Sequence, residues 1–460
     1  MSKKSSDNLI YTKKSVYELA DKKVIENSTA YAEGYKNYLD EGKTEREAVK
    51  ASIALAEKHG FSEYKLGDKI TSGDKKYYNN RGKNLFLFSV GSESINNGIR
   101  ITAAHIDSPR IDLKQCPVYE DGGMGFFKTH YYGGIRKYQW VATPLALHGV
   151  VVKLDGSVVD ITVGEDDSDP VFYINDLLPH LGHKQGKDPL DDAIKGEQLN
   201  VLIGSLPALD EDKPSVKLNV LRLLNEKYGI TEEDFLSAEL SVVPAAKARD
   251  VGFDRSMIGA YGHDDRVCAY PAMTALFESE DSVHTLMCIL ADKEETGSDG
   301  PSGMQSELML DIIDELAKHL GGNPAIVKAN SKCLSADVSA AFDPNFPDVF
   351  EKRNSALLSC GVVLTKFTGS RGKSSTNDAN AEYVGWIRSI LAKDKVIWQA
   401  AELGKVDCGG GGTVAKYISK HNIDTIDLGV PVISMHAPYE VISKVDLYEA
   451  FRAILAFYKY

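Results

Sequence analysis

The sequence predicts an α/β fold, a sheet flanked by helices and interrupted by a strand-rich insertion. Three observations carry that expectation. Apolar runs of strand length alternate with amphipathic stretches of helix length, the pattern of a sheet covered on both faces. Between about 119 and 250 the texture changes to short strand-like segments joined by glycine turns. The chain, at 460 residues, also exceeds one typical domain. The expected organisation is 1–118 and 251–460 as two parts of one α/β domain, with 119–250 inserted between them.

At the N-terminal end, Ser28 is placed to cap a helix carrying Tyr31, Tyr35 and Tyr38. Thr44-Glu45-Arg46-Glu47 is a capping-box pattern ahead of Val49, Ile53 and Leu55, with Gly60 as the stop. Leu85–Val90 and Ile99–Ala104 follow as strands. The second runs into A-A-H-I-D-S-P-R, where Pro109 prevents simple continuation. In the insertion, Leu145–Leu154, Asn200–Gly204 and Glu239–Ala245 are expected strands, and Val216–Tyr228 a helix. Beyond Asp250 the expected elements are the helix Val267–Glu278, the apolar run His284–Leu290, the helix Leu308–Leu320 and the strand Lys332–Ala336. Val362–Phe367 (strand), Ala379–Ala392 (helix) and the four-glycine turn Gly409–Gly412 come next. The helix Thr413–Lys420, the strand Ile426–Val432 and the closing helix Val445–Phe457 complete the chain.

Composition narrows the function. Hydrophobic content of 43% and charged content of 26% are an ordinary globular balance. A net charge of −13 argues against a nucleic-acid binder, which carries a basic face. No segment approaches the roughly 18 uninterrupted apolar residues of a membrane span. The opening M-S-K-K-S-S-D-N has no apolar core behind it and is not expected to be a secretory leader. Six cysteines without C-x-x-C spacing are better taken as free thiols in a reducing compartment. The expectation is a cytoplasmic protein with no nucleic-acid or membrane partner.

The residues with chemical potential sit at strand and loop ends. His105 and Asp107 form an H-x-D pair. Asp264 and Asp265 precede a helix. Glu294 and Glu295 stand side by side in L-A-D-K-E-E-T-G-S-D-G, Asp337 ends C-L-S-A-D, and His436 ends V-I-S-M-H. In open α/β sheets ligands bind at the carboxyl ends of strands, so these five places are candidates to meet at one crevice. Two imidazoles and several carboxylates without a thiolate suit a catalytic zinc site, and a carboxylate can bridge two ions. Each has a duller alternative. The glutamates would serve as a solvated turn, the aspartates as a helix cap or turn, and a lone histidine as a hydrogen-bonded core residue. The set is more informative than any member.

A-A-H-I-D-S-P, H-D-D-R-V, D-K-E-E-T-G-S, S-A-D-V-S and S-M-H-A-P, in this order, resemble the metal-site motifs of the aspartyl aminopeptidase family, metallopeptidase family 18. Y-Y-G-G-I-R-K-Y-Q-W-V-A-T-P-L extends the resemblance into the insertion. The resemblance implies a zinc-exopeptidase-like catalytic domain, an inserted dimerisation domain, and two zinc ions, replaceable by cobalt or manganese. Asp264 would bridge them, His105 and Asp337 holding one and Glu295 and His436 the other. Asp107 would fix the imidazole of His105. Glu294 would be the general base, taking a proton from the attacking water and returning it to the leaving amine. Which glutamate takes which role is implied by the family; spacing does not decide it.

The implied substrates are peptides with free N-termini, preferably Asp or Glu, for which Arg371 and Lys373 are the candidate cations. They lie in T-G-S-R-G-K-S-S-T-N, which departs from the family by lacking an aromatic residue before its small-residue-Asn step. The glycine run, Gly411 within it, would let backbone approach a substrate closely. Leu178-Pro179-His180-Leu181 resembles a family segment whose histidine reaches a neighbouring subunit's active site, so His180 would need a dimer, and dimers would assemble into a tetrahedral dodecamer. The alternatives are a deblocking aminopeptidase or another two-metal amide hydrolase, and a non-catalytic assembly protein.

Overall fold

Four short runs, Thr285–Ala291, Ile99–His105, Lys332–Ser335 and Asp424–Gly429, lie side by side and parallel at the centre of the computed structural model. Strands buried on both faces need apolar side chains at nearly every position, and T-L-M-C-I-L-A is buried throughout. The structure describes residues 9–280 and 282–460. The N-terminal octet, on which the absence of a leader was judged, lies outside them.

Five further strands extend this sheet to nine. Asn84–Ser89 pairs antiparallel with Thr285–Ala291 and Lys75–Asn80 antiparallel with Asn84–Ser89, and the short strand Ser62–Glu63 lies parallel beyond; on the other side Val362–Thr365 is antiparallel to Asp424–Gly429, and Trp398–Ala400 runs parallel to Val362–Thr365 at the edge. One face packs on the helices Lys22–Glu41, His263–Glu278, Ala381–Lys393 and Lys444–Lys459. The other packs on Leu308–His319, Pro324–Asn330 and Ala415–Ser419. The α/β expectation is met.

A second, wholly antiparallel sheet has seven strands, ordered Val158–Val163, Leu145–Val152, Ala238–Pro244, Arg110–Asp121, Met124–Tyr132, Val201–Gly204 and Tyr173–Ile174. It has its own apolar core around Ile111, Phe127, Trp140, Leu147 and Val242, covered in part by the helix Val216–Tyr228. A third sheet of five short strands includes Met257–Ala260, Pro431–Ile433 and Glu440–Ser443.

Local expectations fared unevenly. Thr44 and Glu47 form the capping box that starts the helix Glu45–Lys58, and Gly60 follows its end at φ +82°. Ser28 is not a cap. Its helix begins six residues earlier at Lys22, and Ser28 is buried on the face shared with Ala32, Tyr35 and Leu39. Its hydroxyl bonds back to the carbonyl of Ile25 at 2.7 Å. The expected strand Ile426–Val432 divides after Gly429 between two sheets. A Cβ on Gly429 would lie 1.6 Å from the carbonyl oxygen of Asp337, so only glycine permits this crossing. The helix expected over Thr413–Lys420 spans only Ala415–Ser419, because the glycine run before it, with Gly410 at φ +137°, is irregular up to Thr413.

Candidate metal centre

The central strands deliver their chemistry at one end. Ile99–His105 ends on a ligand-type residue. Thr285–Ala291 runs into the turn with Glu294 and Glu295, and Lys332–Ser335 into Asp337. The third sheet supplies His436 after Pro431–Ile433, and Asp264 just before the regular part of the helix His263–Glu278. Asp264 and Asp265 have non-helical backbone angles and make no side-chain cap bond. Their carboxylates turn instead to the ligand cluster. His105, Asp264, Glu294, Glu295, Asp337, His436 and Gly411 line one cavity of about 260 Å³.

Asp264 stands between the two imidazoles. Its Oδ1 lies 3.2 Å from Nε2 of His105, and its Oδ2 lies 3.2 Å from Nε2 of His436. Nε2 of His436 is also 3.6 Å from Oε2 of Glu295. Three overlapping trios offer ligand atoms within 4.8 Å of one another: His105–Asp265–Asp337, His105–Glu294–Glu295 and Asp264–Glu295–His436.

The residues behind these fix their aim. Asp107, fully buried, accepts the backbone N–H groups of Glu294 and Glu295 at 3.2 Å each and the hydroxyl of Tyr132 at 2.7 Å. Nδ1 of His105 bonds to the backbone carbonyl of Asp107 at 3.0 Å, with Oδ1 of the carboxylate 3.3 Å away. One residue therefore orients a histidine and the glutamate turn together; it does not line the cavity. From the second sheet, the carbonyl of Gly134 accepts from Nδ1 of His436 at 2.8 Å. Gly133, at φ +71°, packs so close that a Cβ there would sit 3.3 Å from that of Glu295. This is the physical reason for the two glycines in Y-Y-G-G.

Sequence reasoning passed over one group and gave another no role. Glu440 is buried and accepts the backbone N–H of Asp264 at 3.1 Å and of His436 at 2.7 Å, tying the two candidate ligand loops together. Asp265, named with Asp264 among the candidate residues but assigned no role, accepts the backbone N–H of His105 at 3.2 Å. The one available signal for Glu440 was an acidic residue four positions after His436 in an otherwise apolar strand start.

Three substrate candidates lie elsewhere. Lys373 pairs with Asp378 at 2.8 Å and covers the ring of Phe367. Arg371, in the same tight turn, lines a separate hollow with Glu402 and Lys405. His180 is exposed in the turn Leu178–Gly182 and does not line the cavity of its own chain.

The donor set fits a metal. Acidic groups crowd the cavity, and neither lysine nor arginine lines it. Burial, then Asp107 and Asp264, push the carboxyl of Glu294 up to about 7. Burial and Asp264 raise Glu295, and burial and Asp265 raise Asp337, well above the carboxylate range. The imidazoles are raised as well, for a different reason. Against the burial penalty, Asp107 and Asp264 raise His105, and Asp264 and Glu295 push His436 up to about 10. Asp264 itself is lowered, its burial outweighed by both histidines. Oε1 of Glu295 and Oδ1 of Asp265 are buried without a hydrogen bond. Excess buried carboxylate with orphaned oxygens is what a bound cation neutralises.

Residues 38–458 match the family described as aminopeptidase I zinc metalloprotease (M18). The chain is 50% identical over 460 residues to a probable M18 family aminopeptidase 1 from Clostridium acetobutylicum, covering 98% of this chain and 99% of that one. The crystal structure of an M18 family aminopeptidase from Thermotoga maritima superposes with a TM-score of 0.93 at 43% identity, covering 98% of this chain and all (100%) of that one. A yeast mApe1 structure, solved as a dodecamer, shares the fold at 21% identity and a TM-score of 0.77, covering 93% of this chain and 96% of that one.

Proposed function

The chain belongs to the aminopeptidase I (M18) family of zinc metalloproteases, and we propose that it removes the first residue of unblocked peptides using two zinc ions. The observation that carries this is the placement of Asp264, one oxygen toward His105 and the other toward His436. On this reading Asp264 would be shared between the ions, with His105 and Asp337 holding one and Glu295 and His436 the other. When bound, zinc supplies Lewis acidity toward the scissile carbonyl.

The chain's own residues do the rest. Asp107 holds His105 through its backbone carbonyl and the Glu294–Glu295 turn through its two carboxylate oxygens. Glu294 faces the same cavity and takes the proton of the attacking water, then delivers it to the departing amine. Glu295 is the ligand of the pair, since it shares a trio with Asp264 and His436. The glycine backbone at Gly410–Gly412 leaves room for a peptide to lie against it.

His180, out of its own cavity, serves a neighbouring subunit's site. The inserted unit, 119–250, is the dimerisation surface, and the dimers form a dodecamer of the kind seen for the yeast relative. Among the described residues no helix is long and apolar enough to cross a membrane, and all six cysteines are free, which supports a cytoplasmic setting. The test is hydrolysis of peptides with free and N-acylated first residues, alongside metal analysis. Turnover of the free form with about two zinc ions per chain is expected. Cleavage confined to the acylated form would reject the aminopeptidase reading in favour of a deblocking activity.

A further inference from the structure

His148 does not line the metal cavity. It stands in the strand Leu145–Val152, 2% exposed, where the second sheet meets the helix Glu45–Lys58. Its Nδ1 lies 2.7 Å from Oε1 of Glu47 on that helix, and its Nε2 lies 3.0 Å from Oε1 of Glu165, in the loop after Val158–Val163. Both partners are acceptors. Oε2 of Glu47 takes the backbone N–H and the hydroxyl of Thr44 in the capping box, and Oε1 of Glu165 takes Nζ of Lys43 at 2.6 Å. A neutral imidazole has one N–H, so only the imidazolium satisfies both bonds.

The groups packed around the ring leave that charge to the two glutamates. On the adjacent strands the residues paired with His148 are Thr162 and Ser241, both uncharged. Ser241 donates to Asp112, which Arg110 already neutralises at 2.8 Å. Lys43 also bonds the carbonyls of Pro244 and Ala246, and Asp40 lies beyond, with Lys43, Glu165 and Lys247 around it. The buried quartet is therefore His148 and Lys43 against Glu47 and Glu165, balanced only while the ring is charged. Against the penalty of burial, Glu165 and Glu47 raise His148 above its ordinary value, and His148 and Thr44 lower Glu47.

We propose that His148 is a proton-operated clasp between the second sheet and the helix Glu45–Lys58. Charged, it holds Glu47 and Glu165 together; uncharged, it leaves a buried carboxylate facing a ring lone pair, and that edge opens. Other pairs cross the same boundary: Arg46 and Lys83 meet Glu239 at 2.6 and 3.2 Å, Lys50 meets Asp160 at 2.7 Å, and Arg110 meets Glu45 at 3.1 Å. Arginine, lysine and carboxylate keep their charges between about pH 6 and 10, so of these groups only His148 switches there. Opening wets the ring and returns it to its ordinary value near 6.5. The clasp is therefore complete below about pH 6.5 and is lost as pH rises through the raised folded-state value. The chain just after Met124–Tyr132 carries Gly134, whose carbonyl accepts from His436 at 2.8 Å, so opening would loosen that support too.

The test is peptide-resolved amide hydrogen exchange of the zinc-loaded, full-length protein from pH 6 to 10, read as protection factors. The helix Leu308–His319, on the far face of the first sheet, is the reference. Relative to it, protection of Leu145–Val152 and Ala238–Pro244 in the wild type should fall above pH 6.5, by about tenfold per pH unit until the raised value is passed. His148→Gln should be less protected there at pH 6 and show no such fall. Glu165→Gln should also show none, because its amide can donate to the neutral ring. Wild-type protection that stays level overturns the proposal, as does a fall of equal size in Leu308–His319 or one that persists in either variant. Should His148→Gln fail to fold, the wild-type and Glu165→Gln series decide.

Discussion

Two cavities of nearly equal size, about 260 and 240 Å³, lie on either side of one turn. Glu294 and Glu295 face the first, and Asp292 and Lys293 face the second. Both are rich in carboxylates, but only the second is lined by arginine and lysine; Asp292, raised by burial to about 6, is its one carboxyl that shifts upward as Glu294 does in the first. In the second, Arg110 meets Glu45 at 3.1 Å and Asp112 at 2.8 Å, Lys83 meets Glu45 and Glu239 at 3.2 Å, and Arg46 meets Glu239 at 2.6 Å. Despite burial, Arg110 and Lys83 pull Glu45 down to about 2. No lysine or arginine lines the first, and burial moves Glu294 up to about 7 despite the two imidazoles. Carboxylates that the chain neutralises itself build structure. Those it leaves uncompensated mark where a metal belongs.

The largest effect expected from breaking this contrast is in the first cavity. Glu294→Gln removes the proton carrier and should lower kcat/KM by about 10²–10⁴-fold, with zinc content unchanged by metal analysis. An unchanged rate would remove Glu294 from the mechanism. In the second cavity, Arg110→Met leaves Glu45 and Asp112 without their main counter-ion. Loss of one partner of a buried pair should destabilise by about 3–5 kcal/mol in chemical denaturation. Zinc content should stay intact, which a metal site shared by both cavities would not allow.

A smaller effect follows from pH. The carboxyl of Glu45 falls from 4.5 to about 2 on folding, so its stabilising contribution is full above pH 4.5 and is lost as pH drops toward 2. That contribution is on the order of 3 kcal/mol. Glu45→Gln should flatten this part of the stability curve; a variant with the wild-type slope between pH 5 and about 2 would show the pairing to be unimportant.

What could be read from the chain divides along the same line. The convergence of the candidate ligands on the first cavity was legible because each ends an apolar strand or opens a helix, and strand ends converge in a parallel sheet. The capping box at Thr44 was legible because its partners are three residues apart. The pairings of the second cavity were not, since Arg110 and Glu45 are brought together only when the second sheet docks on the helix Glu45–Lys58. Glu440 was missed for a similar reason: its partners are backbone N–H groups, which leave no mark in a sequence. Ser28 misled because a cap residue and a small buried helix residue look alike until the helix start is known. Arg371 and Lys373 were singled out for their charge alone; neither lines the cavity, and Arg371 lines a hollow that meets it at Thr368 and Leu403.

The most direct test is anomalous diffraction at the zinc edge from crystals of the zinc-loaded protein. The account predicts two peaks in the first cavity, on either side of Asp264, and none among Glu45, Arg110 and Asp292. A first cavity without zinc, or a peak in the second, would contradict it.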